Sequence, residues 1–215
     1  MDNLQDLVLY GAGGSGREIA LTVEKINAVK PTFNLLGFID DDESKVGVVM
    51  NGVQVLGGFD WIVEHKDSVA CCCTFGFPKI RKTVYEKLIA AGIKLATIIS
   101  PEAKVGPTVE IGEGSIIAAN VSMTTNCKVG IGVFLNEGAS VSHDCVVGNY
   151  VVSNPLAQIS GGSTVGNEVM LGGMCFLCPK TKVGDGAVVA PLSAVYGRVK
   201  AGTHVIGNPA HRIDI

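Results

Sequence analysis

Aliphatic residues recur at every sixth position through the C-terminal half of the chain, and Ser153 is the only polar residue in this phase. The residue after each aliphatic one is nearly always small, which we expect to let the backbone turn without a side-chain clash. This period is typical of a left-handed parallel β-helix of hexapeptide repeats, in which three hexads complete one coil. The positions that define the phase are Ile99, Val105, Ile111, Ile117, Met123, Val129, Leu135, Val141, Val147, Ser153, Ile159, Val165, Leu171, Leu177, Val183, Val189 and Val195.

The first 97 residues follow a different pattern, in which short apolar runs alternate with amphipathic stretches. This pattern predicts a βαβ-type domain with about four strands in a parallel sheet, which is half of a dinucleotide-binding (Rossmann) fold. We therefore expect an α/β half-Rossmann domain over residues 1–97 and the β-helix over residues 98–215. The predicted strands are residues 7–10, 35–39, 53–56 and 69–74, with a further one near Leu95, and the predicted helices are 17–29, 60–65 and 79–91.

A glycine-rich motif lies between the first predicted strand and the first predicted helix. Residues 11–16 read Gly-Ala-Gly-Gly-Ser-Gly, and such a turn lets the free N–H groups of a helix N-terminus approach a phosphate. Asp40 and Asp41 follow the second strand, where an acidic side chain can meet a ribose or a base. Arg17 and Arg81 are the cations expected near the phosphate mouth, and an ordinary surface cation is the alternative for each. A plain glycine turn beside a solvated acidic loop remains the alternative interpretation.

The candidate catalytic group is His143, which comes two places after the inward-facing Val141 and should project from a corner of the β-helix. An imidazole accepts a proton near neutral pH, and Asp144 next to it is placed to orient the ring. A coil of three hexads stacks Gly161 over His143, with room for an acyl thioester. Asn136 supplies an amide at the neighbouring corner. A surface His-Asp pair and an ordinary turn asparagine are the alternatives.

Composition narrows the function classes. The chain has 215 residues, a net charge of −3 and no block of like charge, so neither a nucleic acid nor an anionic membrane is an expected partner. The first residues carry no apolar signal stretch, and no apolar run is long enough to span a bilayer. Seven cysteines, three of them consecutive, favour reduced thiols, and we expect a cytoplasmic protein.

No metal site is expected. Cys175 and Cys178 form a CxxC pair, but no second pair and no nearby histidine accompany them. His143, His204 and His211 are spaced badly for one site, because the separation of the first two along the chain is not a whole number of coils.

Both halves together resemble a known family. The segment LNEGASVSHDCVVGNYVVSNPLAQISGG, the tail GTHVIGNPAHRI and the glycine-rich half-domain are similar to the bacterial sugar acetyltransferases of the NeuD/PglD type. The resemblance covers nearly the whole chain. It implies acetyl-coenzyme A as the acyl donor, a nucleotide-linked amino sugar as the acceptor, a role in surface glycan or O-antigen synthesis, and a homotrimer with active sites between neighbouring prisms.

The resemblance also implies roles for individual residues. His143 becomes the general base, with Asp144 as its acidic neighbour. The substrate-binding residues implied are Gly11, Gly13, Gly14, Ser15, Asp40, Asp41, Arg81 and Asn136, and those for the coenzyme are Gly161, Gly162, Gly173 and Pro191. The implied reaction is direct attack of a sugar 4-amino group on the thioester, with no covalent enzyme intermediate.

Some positions depart from the family pattern. Ser15 replaces a histidine of the phosphate loop, and Val152 replaces a histidine expected to meet the acetyl carbonyl. Met174 and Leu192 add bulk along the side where the coenzyme should run. Two alternatives therefore stay open at this point: O-acetylation of a sugar hydroxyl, and a nucleotide-sugar-binding protein with little turnover.

Overall fold

The computed structural model describes residues 4–214 and has two parts. The N-terminal part is a six-stranded sheet in the order β3-β4-β2-β1-β5-β6, parallel except for the antiparallel pair β3–β4. Its strands are β1 (Gln5–Tyr10), β2 (Phe33–Ile39), β3 (Val49–Met50), β4 (Val53–Gly57), β5 (Ala70–Cys73) and β6 (Lys94–Leu95). Its helices are α1 (Gly14–Val29), α2 (Phe59–Glu64) and α3 (Pro78–Ala90), with a 3-10 turn at Glu43–Lys45.

The sheet order creates a crevice at the carboxyl ends of the central strands. β2 pairs with one side of β1 and β5 with the other, so the connections after β1 and β5 leave in opposite directions. Ligands of open α/β sheets bind outside the carboxyl ends of strands at such a switch point. The glycine-rich segment 11–16, called the glycine loop below, lies at this point.

The C-terminal part is a left-handed parallel β-helix, called the prism below, built from three sheets. Sheet 1 contains β7 (Ile98–Ile99), β10 (Ile116–Ile117), β13 (Phe134–Leu135), β16 (Val152–Ser153), β19 (Met170–Leu171), β22 (Val188–Val189), β25 (His204–Gly207) and β26 (Ala210–Ile213). Sheet 2 contains β8 (Lys104–Val105), β11 (Ser122–Met123), β14 (Ser140–Val141), β17 (Gln158–Ile159), β20 (Phe176–Leu177) and β23 (Ala194–Val195). Sheet 3 contains β9 (Glu110–Ile111), β12 (Lys128–Val129), β15 (Val146–Val147), β18 (Thr164–Val165), β21 (Lys182–Val183) and β24 (Arg198–Val199).

The fold class predicted from the sequence is confirmed, and the hexad phase gives the inward positions correctly over most of the prism. Leu135, Val141 and Leu171 are fully buried, whereas Ile99 is 39% exposed because no coil lies before it. The period breaks after Val195: Lys182 of β21 pairs with Arg198 of β24, and this last coil is shorter than the others.

Contrary to the prediction from the sequence, the small residue after each aliphatic one is not the residue at which the backbone turns. The backbone turns through the left-handed region two positions later, at residues such as Asp144 (φ 58°) and Gly132 (φ 63°). The small residue itself faces the backbone of the next coil: a Cβ on Gly112 would lie 2.5 Å from the carbonyl carbon of Gly130. Close stacking of coils, rather than the turn, therefore excludes larger side chains there.

The N-terminal domain covers sheet 1 of the prism. The outward side chains Ile116, Phe134 and Val152 of this sheet are buried. Contacts reach both edges of the covered face, because Lys25 pairs with Glu102 where the chain passes from sheet 1 to sheet 2, and Tyr85 packs where it passes from sheet 3 to sheet 1. The corner between sheets 2 and 3 is therefore the one opposite the N-terminal domain.

Among residues 4–214, no helix is long and apolar enough to cross a membrane. All seven cysteines are free thiols. Burial raises the pKa of Cys72 and of Cys175 to about 12, so both thiols stay protonated and act as small apolar groups.

Candidate active site

His143 projects from the corner between sheets 2 and 3, as its position two places after Val141 predicts. Its side chain is 63% exposed, and its Nδ1 lies 2.9 Å from Oδ2 of Asp144. The second carboxylate oxygen of Asp144 accepts a hydrogen bond of 3.2 Å from the amide of Asn126, one coil earlier. These two bonds, first that of His143 and then that of Asn126, hold the pKa of Asp144 below its usual range.

An ionised Asp144 determines which nitrogen of the ring carries the proton. A carboxylate accepts hydrogen bonds and cannot donate them, so Nδ1 of His143 is the donor in this pair. In the neutral imidazole, the lone pair is then on Nε2. The ring therefore presents its basic nitrogen away from Asp144.

The ring of His143 packs against Gly161 of the next coil. A Cβ built on Gly161 would overlap Nε2 and would lie 2.6 Å from Cε1 of the imidazole. The empty space that the sequence predicts above His143 is thus occupied by the ring itself. Glycine at position 161 is what allows the imidazole to stand in this orientation.

The backbone around Gly161 also offers a polar group. The N–H of Gly162 donates to the carbonyl of His143 at 2.9 Å, which joins the two coils. In the part of the chain that the structure describes, no protein group accepts a hydrogen bond from the N–H of Gly161. This N–H, on the glycine that faces the ring of His143, is available to a ligand oxygen.

Three further predicted residues lie at the other end of sheet 2. Asn136, Gly173 and Pro191 are on the corner between sheets 1 and 2, so sheet 2 separates them from His143 within one chain. Asn136 lines a groove of about 340 Å³ between α1 and the prism, and its side-chain oxygen accepts from the N–H of Glu137.

Two glycines of the glycine loop are required by close contacts, and two are not. Gly11 has φ 116°, and a Cβ on it would lie 2.7 Å from Oγ1 of Thr74. A Cβ on Gly16 would overlap the carbonyl oxygen of Gly11. By contrast, a Cβ on Gly13 or Gly14 would meet nothing within 4 Å, so both face open space.

The same open space lies at the N-terminus of α1. Gly13 is the N-cap residue and no side chain caps the helix, while Ser15 lies in the first turn. The first N–H groups of the helix are therefore free to bind an anion, as the motif predicts. Arg17 is exposed, and its Nε lies 3.4 Å from the carbonyl of Gly13.

Asp40 and Asp41 both brace the crevice from the side of β2. Asp40 accepts hydrogen bonds from the N–H of Ala12 at 3.1 Å and from Nζ of Lys45 at 3.0 Å. Asp41 accepts from the hydroxyl of Tyr10 at 2.6 Å and from the N–H of Phe59 at 3.1 Å. Each carboxylate thus connects the loop after β2 to neighbouring segments.

The two aspartates line a pocket of about 290 Å³. Its other walls include Gly58, Phe59 and Lys87, which the sequence analysis did not name. Nζ of Lys87 lies 3.8 Å from the ring centroid of Phe59, an arrangement that holds a cation beside an aromatic surface. An aromatic residue and a lysine so far apart along the chain give no local motif, so only the fold brings them together.

The prediction for Arg81 is wrong. Arg81 is fully buried, and its guanidinium donates to the carbonyls of Gly132 at 2.8 Å and of Cys73 and Phe75 at 2.9 Å each. A group so enclosed does not reach a ligand at the mouth of the crevice. It instead joins the N-terminal domain to the prism.

The structure also locates the residues that depart from the family pattern. Val152 is buried under the N-terminal domain, and its apolar side chain offers no hydrogen-bond donor to an acetyl carbonyl. Met174 and Leu192 are exposed at left-handed corner positions. Within residues 4–214, no group of three or more His, Cys, Asp or Glu side chains is arranged to hold a metal ion.

The structure thus joins a half-Rossmann domain to a β-helical prism that carries an oriented, exposed imidazole. Residues 6–88 match the sequence profile of the PglD N-terminal domain. No curated protein sequence matches the chain significantly.

Solved structures match the whole chain. The acetyltransferase domain of PglB from Neisseria gonorrhoeae FA1090 in complex with acetyl coenzyme A is 27% identical, covers 98% of this chain and 100% of its own, and has a TM-score of 0.89. WeeI from Acinetobacter baumannii AYE is 28% identical, covers 97% and 100%, and has a TM-score of 0.87. PerB from Caulobacter crescentus in complex with CoA and GDP-perosamine is 23% identical, covers 99% of both chains, has a TM-score of 0.90, and supports the fold. These matches confirm the resemblance to the PglD-type sugar acetyltransferases.

Proposed function

We propose that this protein transfers the acetyl group of acetyl-coenzyme A to the 4-amino group of a nucleotide-linked amino-deoxysugar. The observation that carries the proposal is the His143–Asp144 pair, with its basic nitrogen held against Gly161 on an exposed corner. The match to a PglB domain solved with acetyl coenzyme A supports the donor. Two features support an acceptor that is bound through its nucleotide: the uncapped N-terminus of α1, and the pocket beside Asp40 and Asp41.

The chemistry needs one proton acceptor. The sugar nitrogen attacks the thioester carbonyl carbon, a C–N bond forms, and the C–S bond breaks to release coenzyme A as a thiolate. Nε2 of His143 takes the proton that the nitrogen loses and can return it to the departing sulfur, so no covalent enzyme intermediate is needed. Asp144 fixes the tautomer and stabilises the imidazolium that forms. The N–H of Gly161 has no acceptor within residues 4–214 and is a candidate donor for the developing oxyanion.

A single chain does not bring the two halves of this reaction together. The N-terminal domain covers sheet 1, whereas His143 is on the opposite corner of the prism. The residues assigned to the coenzyme are also divided, with Gly161 and Gly162 on the corner of His143, and Gly173 and Pro191 on the corner between sheets 1 and 2. One coenzyme contacts both groups only if they belong to two subunits, so we propose a homotrimer with the site between neighbouring prisms.

An exposed apolar column on the prism supports this assembly. Leu156, Met174 and Leu192 are stacked in successive coils at left-handed positions, and they are 46%, 57% and 72% exposed. Their exposure to water costs free energy, and a partner that covers the column removes this cost. Light scattering after chromatography should give a mass of three chains. A monomeric mass at micromolar concentration would contradict the assembly.

The direct test is a screen of nucleotide-linked 4-amino sugars with acetyl-coenzyme A. The reaction is monitored by the loss of thioester absorbance, and the acetylated sugar is identified by mass spectrometry. His143→Ala should lower turnover by about 10²–10⁴-fold, the usual effect of a general base, while the nucleotide still binds. His211→Ala, another exposed histidine of the prism, is the matched control and should keep full activity. Equal rates for the wild type and His143→Ala would remove His143 from the mechanism.

The same screen separates the proposal from O-acetylation. Matched sugars with a 4-hydroxyl in place of the 4-amino group should react much more slowly, because a neutral hydroxyl is a poorer nucleophile than an amine and depends more on the general base. Product from the hydroxyl sugars alone would establish an O-acetyltransferase. We place the reaction in the cytoplasmic synthesis of a surface glycan as part of this proposal.

A further inference from the structure

The helix α3 lies along the prism corner between sheets 3 and 1. Tyr85 stacks on Tyr150 at a centroid distance of 6.2 Å, and Nζ of Lys82 pairs with Glu168 at 2.8 Å. Gly114 and Gly132 occupy the same left-handed corner position in the two preceding coils, at φ 70° and φ 63°. A Cβ on either glycine would crowd the ring of Tyr85, at 2.7 Å and 2.6 Å. These glycines therefore form a slot for the tyrosine.

Two side chains of α3, one helical turn apart, connect the end of β5 to this slot. The hydroxyl of Tyr85 accepts from the N–H of Cys73 at 3.1 Å and donates to the carbonyl of Gly114. Arg81 donates from Nε to the carbonyl of Gly132 and from Nη1 to the carbonyls of Cys73 and Phe75. Through these hydrogen bonds, Tyr85 and Arg81 connect two consecutive coils of the prism to the same short stretch at the end of β5.

Arg81 has an unusual environment for a buried cation. Within residues 4–214 it has no carboxylate partner, and its Nη2 has no hydrogen-bond partner. Its charge is offset by three backbone carbonyls and by the rings of Tyr85 and Phe134, each 5.4 Å from its Cζ. A planar guanidinium that binds three fixed carbonyls sets their relative positions. An apolar side chain of similar volume would cost less free energy to bury, but it would not bind the carbonyls.

The stretch after β5 in turn supports the glycine loop. Thr74 lies between the two residues whose carbonyls bind Arg81, and its hydroxyl contacts the carbonyls of Tyr10 and Gly11 at 3.0 Å and 2.9 Å. Gly11 begins the glycine loop and approaches Thr74 too closely for any side chain. A displacement at Cys73 or Phe75 is therefore transmitted to the loop.

We propose that Tyr85 and Arg81 are positioning residues that fix the glycine loop relative to the prism, and that they set the affinity for the nucleotide-linked acceptor without touching it. This inference rests on the proposed function. Neither residue is near the corners that carry His143, Gly161 and Gly173, so the affinity for acetyl-coenzyme A should not depend on them.

The test uses Tyr85→Phe, which keeps the ring and removes the hydroxyl, and Arg81→Lys as a second variant in case the first folds poorly. Binding of UDP, dTDP and GDP is measured by calorimetry, together with KM for both substrates. Each variant should weaken nucleotide binding and raise KM for the acceptor by about tenfold, the effect of losing one to two buried hydrogen bonds, with KM for acetyl-coenzyme A unchanged.

Two controls separate positioning from stability. Leu88→Ala truncates a fully buried side chain of the same helix and lowers the melting temperature without touching the carbonyls, so nucleotide affinity should persist. Lys82→Met removes only the half-buried ion pair with Glu168, which does not contact the carbonyls of Cys73 and Phe75, so nucleotide affinity should match that of the wild type. Loss of nucleotide affinity in Leu88→Ala equal to that in Tyr85→Phe would overturn the proposal.

A readout that needs no turnover completes the design. Cys72 and Cys73 are fully buried beside Tyr85, whereas Cys178 is partly exposed and serves as an internal reference for alkylation. Alkylation of Cys72 and Cys73 should accelerate in Tyr85→Phe relative to Cys178. If the wild type binds nucleotide but acetylates no sugar, the proposed function fails and the positioning role stands. Unchanged nucleotide affinity in both variants, or no nucleotide binding by the wild type, refutes the positioning role.

Discussion

Residues of the prism contact partners at a fixed distance along the chain, whereas the N-terminal domain assembles from distant segments. Prism strands pair with the strand one coil away, as in Val141 with Ile159, except for the terminal β26, which forms an antiparallel pair with β25. In the N-terminal domain, by contrast, Leu7 of β1 pairs with Ala70 of β5. A repeated local rule therefore determines the prism. In the N-terminal domain, a few close approaches between segments determine the geometry of the whole crevice.

The two candidate sites differ in the same way. His143 depends on a neighbour one coil away, Gly161, and on the adjacent Asp144. The glycine loop depends on Asp40 after β2 and on Thr74 after β5, which are 28 and 63 residues from their partners in the loop. Substitutions beside His143 should consequently affect catalysis, whereas substitutions at the close contacts of the glycine loop should affect affinity and stability together.

The largest expected effect tests the prism side of this comparison. In Gly161→Ala, the new methyl group would overlap Nε2 of His143 and rotate the ring from its place. We expect kcat to fall about 10²-fold, the range for a misplaced general base, with little change in the nucleotide affinity.

A second glycine of the same corner provides the control. A Cβ on Gly197 would meet nothing within 4 Å, so Gly197→Ala should keep the wild-type kcat and melting temperature. If Gly161→Ala also retained the wild-type kcat, the contact between the glycine and the imidazole would have no catalytic importance.

The next effect tests the N-terminal side. A Cβ on Gly16 would overlap the carbonyl oxygen of Gly11, so Gly16→Ala forces α1 away from the end of β1. We expect a loss of about 1–3 kcal/mol in unfolding free energy, as for other overpacked positions, and weaker nucleotide binding at the same time. Urea unfolding and calorimetry measure the two effects.

Gly76→Ala is the comparison for this variant, because a Cβ on Gly76 would have open space around it. Full stability in Gly16→Ala would show that the loop accommodates a side chain. Catalytic loss in Gly16→Ala at saturating acceptor would contradict the separation between affinity and catalysis.

The sequence predicted the repeated parts of the structure better than the single contacts. The hexad phase identified Leu135, Val141 and Leu171 as core because each coil repeats the same environment. The GxGxxG motif placed the glycine loop because its spacing reflects a local turn. Arg81 was misplaced because its three acceptors are carbonyls from two distant segments, which leave no side-chain signature. The only signal available was a pair of glycines one coil apart at the slot for Tyr85, at positions 114 and 132.

A smaller effect concerns the charge of Asp144. Its pKa is lowered in the folded protein, so its contribution to stability is present at neutral pH and is lost as the pH falls through that lowered value. Asp144→Asn should remove this pH dependence and lower kcat about tenfold by leaving the tautomer of His143 unfixed. Melting temperatures of both proteins between about pH 3 and 7 should converge at the acid end; a constant difference would assign the effect to packing instead.

The smallest effect lies inside the prism. Ser153 occupies an aliphatic position of the hexad, is fully buried, and its hydroxyl has no hydrogen-bond partner within residues 4–214. Ser153→Ala should therefore stabilise the protein by about 1 kcal/mol, because it removes an unsatisfied buried hydroxyl. Ser163→Ala is the opposite case, since that buried hydroxyl donates to the carbonyl of Cys178 at 3.2 Å, and its loss should destabilise by a similar amount. Changes of the same sign in the two variants, measured by urea unfolding, would mean that coil packing rather than hydrogen bonding decides which small residues the prism core accepts.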